Sequence, residues 1–326
     1  MVDAVTVFRN IDAGAPQLTG RKPSDIVAIL RACLVDGYGS KQPLGWTVEF
    51  DNAIDVGVVF RNNVAAGGSG GYCKFSASAD TAGAMLDIRS AQSMTDIDTL
   101  IKAGYRSRIG SHNVNWTEWW VVGTPKAFYL IIGDSVDTRM GARRAVLESQ
   151  LFCGDIHSFI PQDQAPFIAN CNYYAGDAQM NSASYSNCFM YWWRNRTNKA
   201  PLNGLKMYGA DGTSNAVDHG FMTPSGHFSE YASSAPSVRQ GVYCDTLIGV
   251  HSVSPDSSAV DPDGVPYVSS RKYPAYRGKL PGILNEVFTS IQDGTYPMVI
   301  DVEGQQHLVF RQPALTLNVW LNLEEW

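Results

Sequence analysis

Between residues 23 and 37 the apolar side chains Ile26, Ile29, Leu30, Cys33 and Leu34 recur at steps of three and four. That spacing puts them on one face of an α-helix. Ser24 is the predicted N-cap and Gly37 the predicted stop. A shorter helix is predicted from Thr95 to Gly104, with Asp96 and Asp98 in its first turn, where negative charge suits the helix dipole, and with Ile97, Leu100 and Ile101 behind them. Almost everywhere else the period is two. Strands are predicted over 46–50, 56–61, 72–76 and 84–90, and a hairpin over 118–122 and 127–132 across Gly123-Thr124-Pro125-Lys126. Near the C-terminal end, 297–302 and 307–311 flank Glu303-Gly304-Gln305-Gln306. Beyond them Leu315, Leu317, Val319, Leu321 and Leu323 alternate with Thr316, Asn318, Trp320 and Asn322. Trp320 breaks the polar side of that alternation, which predicts that this face is also partly covered, by another element or by a partner chain.

Two stretches, 195–237 and 252–272, are rich in Asn, Gly, Ser, Pro and Tyr and poor in aliphatic runs. They read as long loops, the part of a compact domain where contacts with other molecules concentrate. A polar stretch at 133–144 follows the hairpin and places a boundary near residue 150. The expected fold is mainly β (α+β): sandwich or barrel-like domains with one or two short helices in the N-terminal half. Residues 1–150 would form an α+β domain and 151–326 a β-rich domain with long loops.

Composition narrows the function classes. Hydrophobic residues make up 44% of the 326 and charged residues 17%, below the usual share of about 25%, so a compact fold is expected. The net charge of -6 gives no overall pull toward nucleic acid or an anionic membrane. No apolar run approaches the ~18 residues of a membrane span, and the opening residues lack a secretory apolar core. The six cysteines are scattered without a C-x-x-C and are expected to be reduced and buried.

Several patterns resemble chemical sites. Gly67-Gly68-Ser69-Gly70-Gly71 fits G-x-S-x-G, but a nucleophile elbow needs a helix after the turn, and Tyr72-Cys73-Lys74-Phe75 reads as a strand. Cys153, Asp155 and His157 fall within five residues; Asp155 and His157 would share one face of an extended segment, where a hydrogen-bonded pair is expected before a catalytic one. Asp211, Asp218 and His219, and Asp256, Asp261 and Asp263, offer oxygen ligands without a calcium-loop spacing, and Asp261-Pro262-Asp263-Gly264 is a turn sequence in its own right. No catalytic, metal or cofactor residues are therefore assigned. Aromatic residues are the better candidates, because Trp, Tyr and Arg anchor interfaces. The candidate contact residues are Tyr191, Trp192, Trp193, Arg194, Tyr208, Tyr231 and Trp320.

The opening also carries a resemblance. Asp12-Ala13-Gly14-Ala15-Pro16-Gln17-Leu18-Thr19-Gly20, then Leu34-Val35-Asp36-Gly37-Tyr38-Gly39 with Gly45-Trp46-Thr47, then Phe60-Arg61-Asn62, resemble a group of tailed-bacteriophage virion structural proteins. The segments Trp119-Trp120-Val121-Val122, Phe128-Tyr129-Leu130 and Tyr276-Arg277-Gly278-Lys279-Leu280-Pro281-Gly282 look like later landmarks of that group. The resemblance implies a non-enzymatic part of the tail tip or baseplate that acts in assembly, located in the virion after a stage in the host cytoplasm. Its partners would be other virion proteins and copies of itself. A receptor- or glycan-binding module on the same particle, contacting a host-surface glycan, is the alternative. A cell-wall hydrolase ranks third, because no paired carboxylates stand out.

Overall fold

The computed structural model describes residues 2–52, 56–110, 117–133, 149–171, 205–222, 243–250, 276–286, 298–311 and 318–326. Among the described residues strands account for 54% and helix for 7%, so the fold is mainly β, as the alternation predicts. In chain order the elements are β1 (Thr6–Arg9), α1 (Pro23–Arg31), β2 (Thr47–Asn52), β3 (Gly57–Arg61), β4 (Tyr72–Ser76), β5 (Leu86–Met94), β6 (Leu100–Ala103), β7 (Ser107–Ile109), β8 (Glu118–Gly123), β9 (Ala127–Gly133) and β10 (Ser149–Asp155). There follow β11 (His157–Ser158), β12 (Phe167–Asn170), β13 (Leu205–Tyr208), β14 (Ala216–Met222), β15 (Tyr243–Val250), β16 (Tyr276–Glu286), β17 (Met298–Val302), β18 (Gln305–Arg311) and β19 (Asn318–Asn322).

These strands form three antiparallel sheets. The first runs β2-β3-β4-β5-β6 with β7 also on β5, the second β1-β8-β9-β10-β12, and the third β13-β14-β15-β16-β19-β18-β17 with β11 also on β16. The second sheet lies between the other two, and the period-two geometry of its strands divides their side chains between two cores. Phe8, Trp119, Val121, Phe128, Leu130, Ile132, Leu151, Cys153 and Phe167 meet α1 and the inner face of the first sheet. Their neighbours Trp120, Val122, Tyr129, Ile131, Phe152 and Ile168 meet the third sheet. All seven residues of β9 are buried, which is why this strand reads as a continuous apolar run rather than an alternating one.

Helix α1 buries Ile26, Ile29 and Leu30, then closes in a π-helical turn that buries Cys33 and Leu34 and stops at Gly37, whose φ of 77° favours glycine. It begins one residue before the predicted cap. Pro23 takes the first helical position, where its missing N–H costs nothing, and the Lys22 N–H donates to Asp25 (3.2 Å). Ser24 donates instead through N–H and hydroxyl to Asp80. The second predicted helix does not form. Asp96 Oδ1 accepts the N–H groups of Asp98 and Thr99 at 2.9 Å each, an Asx turn that competes with the helix, and Leu100–Ala103 then pairs with β5 as strand β6. The predicted loop 195–237 is also partly corrected: β13 and β14 pair within it, from Leu205↔His219 to Tyr208↔Ala216. The predicted loop 252–272 lies outside the described residues.

Across residue 150 the ladder between β9 and β10 runs from Ser149↔Ile132 to Gly154↔Ala127, so one sheet joins the two halves of the chain. The two cores are therefore expected to unfold together. Phe128→Ala, in the first core, and Phe152→Ala, in the second, should each cost about 3–5 kcal/mol and shift one urea transition seen alike by far-UV circular dichroism and tryptophan fluorescence. Two separable transitions would show that the cores fold independently.

Candidate functional site

Two features stand out once the layers are in place: an aromatic pocket on the outer face of the third sheet, and a polar cleft where the three sheets meet. On the outer face, the register aligns Met298 with Val309, Val309 with Trp320, and Trp320 with Leu284. With Ile300 and Val302 these residues form an apolar cluster of their own, separate from the core on the inner side. Trp320 is 3% exposed. Tyr243 meets its ring edge-on at 5.2 Å and 76°, and His307 lies edge-on at 6.2 Å. Tyr243, Leu284, Val302, Glu303, Gln305, His307 and Trp320 line a pocket of about 370 Å³. The buried indole N–H of Trp320 meets no acceptor among the described residues, unlike the indoles of Trp46, Trp119 and Trp326, which donate to the carbonyls of Thr124, Pro16 and Asn322.

The polar cleft, of about 400 Å³, brings together the two motifs that the sequence presents separately, since Ser69, Asp155 and His157 all line it with Asp3 and Lys126. Asp155 latches the glycine-rich loop of the first sheet to the second. Its carboxylate accepts the hydroxyl of Ser69 (2.5 Å), the N–H of Ser69 (2.7 Å) and the amide of Asn62 (2.9 Å). Burial pushes Asp155 up from the usual carboxylate range, against these hydrogen bonds and the nearby Lys126 charge. Gly71 ends the loop directly on Phe167, where a β-carbon would overlap the ring. The serine therefore sits in a loop that leads into β4 rather than into a helix, and its hydroxyl is spent on Asp155.

Asp155 and His157 share the cleft, as their spacing predicts, but the carboxylate is held by Ser69 and Asn62 rather than by the imidazole. Burial, with Lys279 adding to it, holds His157 below its ordinary value, so the ring is neutral near pH 7. Lys126 is paired with Asp3 at 2.9 Å. At the wall of the cleft, Arg277 clamps Asp163 with two hydrogen bonds of 2.7 and 2.6 Å, both side chains being almost wholly buried. Cys153 belongs to the first core, where burial raises its thiol far from reactivity. Cys33, Cys73, Cys153 and Cys171 are buried and unbridged, and Cys244 is unbridged and half-buried.

Of the predicted contact residues, Tyr191, Trp192, Trp193, Arg194 and Tyr231 lie outside the described residues. Tyr208 is buried, and its hydroxyl donates to the Ala103 carbonyl (3.0 Å), tying the third sheet to the first. Trp320 is found on the outer face, as its place in the alternation predicts, and the structure adds Tyr243, His307 and Glu303 around it. Glu303 and His307 lie on the predicted hairpin next to the Trp320 strand, whereas nothing in the sequence links Tyr243 to them, because β15 is far away in the chain. In the predicted metal loops, Asp211 accepts the Thr213 N–H (3.1 Å) and His219 is buried; Asp256, Asp261 and Asp263 lie outside the described residues. No described helix is long and apolar enough to cross a membrane. Compared with protein-family models and with curated proteins, the chain matches none.

The buried ion pair at the wall of the cleft makes a pH prediction. Burial alone would raise Asp163, but hydrogen bonds from Arg277, Ser158 and the Ala165 N–H outweigh it and hold the carboxyl below its usual value. The stability it supplies is therefore present above the unfolded carboxyl range near pH 4 and is lost as pH falls through the depressed value. Arg277→Met should cost about 3–5 kcal/mol at pH 7, since it strands a buried charge. Denaturant titrations between about pH 2 and 7 should show a shallower acid loss in Arg277→Met than in the wild type; an unchanged slope would remove Asp163 as its source.

Proposed function

We propose that this chain is a structural subunit of a tailed-bacteriophage particle, at the tail tip or baseplate, and that it acts in assembly through the outer face of its third sheet. One observation carries this reading. The inner face of that sheet already supplies a core, yet Leu284, Met298, Ile300, Val302, Val309 and Trp320 build a second apolar cluster on the face turned away from it. A sheet at the surface needs only one buried face, and a second apolar face beside an edge strand is suited to a subunit contact. The segments that resemble phage virion proteins supply the setting, and a rigid three-layer body suits repeated use in a symmetric particle. Its partners are then neighbouring virion proteins or further copies of the chain, and the reading calls for no catalytic group and no cofactor.

A glycan-binding module on the same particle is the second reading. The polar cleft favours it, because hydrogen-bonding groups line it, among them the His157 imidazole, the Lys126–Asp3 pair, Ser69 and Ser158.

Ile300→Lys and Val299→Lys separate the outer face from the rest of β17, because the two side chains point to opposite sides of an edge strand whose burial alternates. Val299→Lys should keep the wild-type melting temperature to within a few degrees, as surface changes of about 0.5 kcal/mol do, whereas Ile300→Lys, in the cluster, should cost about 1–3 kcal/mol and remain folded. In particles assembled from a complemented deletion, Ile300→Lys should be depleted at least about tenfold, the effect of roughly 1.4 kcal/mol of lost contact, while Val299→Lys is incorporated normally. Equal incorporation of both would sink the assembly reading. Glycan binding that survives Ile300→Lys and is lost in His157→Ala would put the second reading first.

A further inference from the structure

We infer that β17 pairs edge to edge with β17 of a second copy of this chain, antiparallel about a twofold axis at Ile300, so that the third sheet runs on from one subunit into the next. The inference rests on the outer face of that sheet being a subunit contact, and it names the partner and the register.

An open edge strand invites pairing, and proteins usually blunt it. The other described edges are blunted. On β1 the Lys41 ammonium donates to the Val7 carbonyl (2.9 Å). β2 carries a bulge between Val48 and Phe50 and the ion-paired Glu49 and Asp51. β6 is four residues long and includes Lys102 at φ 52°. All of β12 is buried, with the Phe167 carbonyl taken by Gln92 (2.9 Å), and β13 is buried at Leu205, Met207 and Tyr208. β17 has none of these devices. It pairs with β18 without a bulge, contains no lysine, arginine or proline, and leaves Val299 43% exposed. Its only charged side chain, Asp301, is turned back onto the Gly304 N–H (3.0 Å).

The hairpin fixes which backbone groups are open. Glu303 and Gly304 have φ of 54° and 85°, as a two-residue hairpin turn requires. The flanking pair Val302↔Gln305 therefore exchanges both its hydrogen bonds, and the exchange recurs at Ile300↔His307 and Met298↔Val309. Gln306 accordingly turns its carbonyl the other way, to the Leu323 N–H (2.9 Å) just beyond β19. The N–H and C=O of Val299 and Asp301 thus point out from the free edge, where no backbone group among the described residues meets them.

These groups fit a copy of themselves. With Ile300 opposite the partner's Ile300, Val299 exchanges two hydrogen bonds with the partner's Asp301, and Asp301 does the same with the partner's Val299. The Ile300 pair is then a close, non-hydrogen-bonded one, with Cα atoms about 4.5 Å apart. Met298 faces the partner's Val302, so the apolar clusters of the two outer faces join. Charge favours the same register. Asp301 faces a valine, and the two Glu303 turns lie at opposite ends of the pair, about 20 Å apart, beyond the screening length of about 8 Å. The next register on one side would set Asp301 against the partner's Asp301, and the next on the other would call for an N–H at Pro297, which has none.

The test uses the full chain. Light scattering over about 5–500 µM should show monomer converting to dimer, as a small interface gives. Val299→Pro removes an outward N–H from each copy and no bond of the hairpin. With its folding checked by circular dichroism, it should raise the dissociation constant at least about tenfold. Cysteine substitution reads the register, whether or not Val299→Pro folds. Under oxidised glutathione, Ile300→Cys should cross-link to its own copy, because the Cα separation suits a disulfide. Met298→Cys and Val302→Cys should each cross-link at least about tenfold more slowly alone than when the two are mixed, with the wild type as background for the native cysteines. A chain that stays monomeric throughout, a dimer that folded Val299→Pro does not weaken, or cross-linking as fast at 298 as at 300 overturns the proposal. The interface reading is judged separately in particles. If no dimer forms while Ile300→Lys still blocks incorporation, self-pairing falls alone and the face meets a different virion protein; if the Ile300→Cys dimer forms while Ile300→Lys is incorporated normally, the assembly reading falls and self-pairing stands.

Discussion

Double burial of the middle sheet is the constraint on which the rest of the structure depends. With Trp119 and Val121 on one side and Trp120 and Val122 on the other, neither face of β8 can be left to water, so a layer is required above and below. The backbone is satisfied within the ladders, and the few polar groups between the layers become ties. Tyr129 donates its hydroxyl to the Pro281 carbonyl in the third sheet (2.7 Å). Gln92 of the first sheet donates to the Phe167 carbonyl in the second (2.9 Å), and Ser149 donates to Gly110 (2.7 Å). Each bond satisfies a group that would be costly to bury alone, and each fixes how one sheet lies on the next.

The segments that carry the phage resemblance are the joints of this stack. Asp12 accepts the Arg9 N–H (2.8 Å) and the Tyr38 hydroxyl (3.0 Å), so the two opening segments meet through one carboxylate. Gly39, with φ 54°, lies so close to the Ala13 carbonyl that a β-carbon would overlap it. Trp46 packs against Phe128 at 5.3 Å and donates to the Thr124 carbonyl, which seats the segment after the helix on the β8–β9 turn. Asn62 is buried, and besides Asp155 it holds the Gly70 N–H (2.7 Å) and the Lys126 carbonyl (3.1 Å). These residue types are therefore required by packing and local hydrogen bonding, with no reaction needed to account for them.

What the sequence made legible follows from the range of the interactions involved. The helix at residue 23, the hairpin around residue 125 and the C-terminal alternation from Asn318 onward are set by near neighbours, and each stands where its periodicity puts it; Leu315, Thr316 and Leu317 lie outside the described residues. The segment after Thr95 misled because its apolar spacing suits a helix while Asp96 offers the backbone a local alternative, and pairing with β5 decided the outcome. The β13–β14 hairpin was hidden because its strands are short and set in polar sequence. Its stability comes from Leu205, Met207 and Phe221 packing in the second core, which no local pattern reveals. At the site, Trp320 was legible from one aromatic residue out of phase with its neighbours. Tyr243 was not, because only the order β15-β16-β19 in the third sheet brings it there, while Glu303 and His307 follow from the hairpin next to the Trp320 strand.

The contrast between Tyr208 and Trp320 shows that burial alone does not tell whether the polar end of an aromatic residue is satisfied. Both are largely inaccessible, and both belong to the third sheet. Tyr208 finds the Ala103 carbonyl inside its own chain, so its polar end is complete and its role ends with the fold. Trp320 buries its ring among Val302, His307 and Leu284, and its N–H has no acceptor among the described residues. An aliphatic side chain there would carry no polar cost. The outer faces of the first and third sheets each carry a small apolar cluster apart from the two main cores, and in the third the packing of the Trp320 ring outweighs the cost of an indole N–H that finds no acceptor among the described residues.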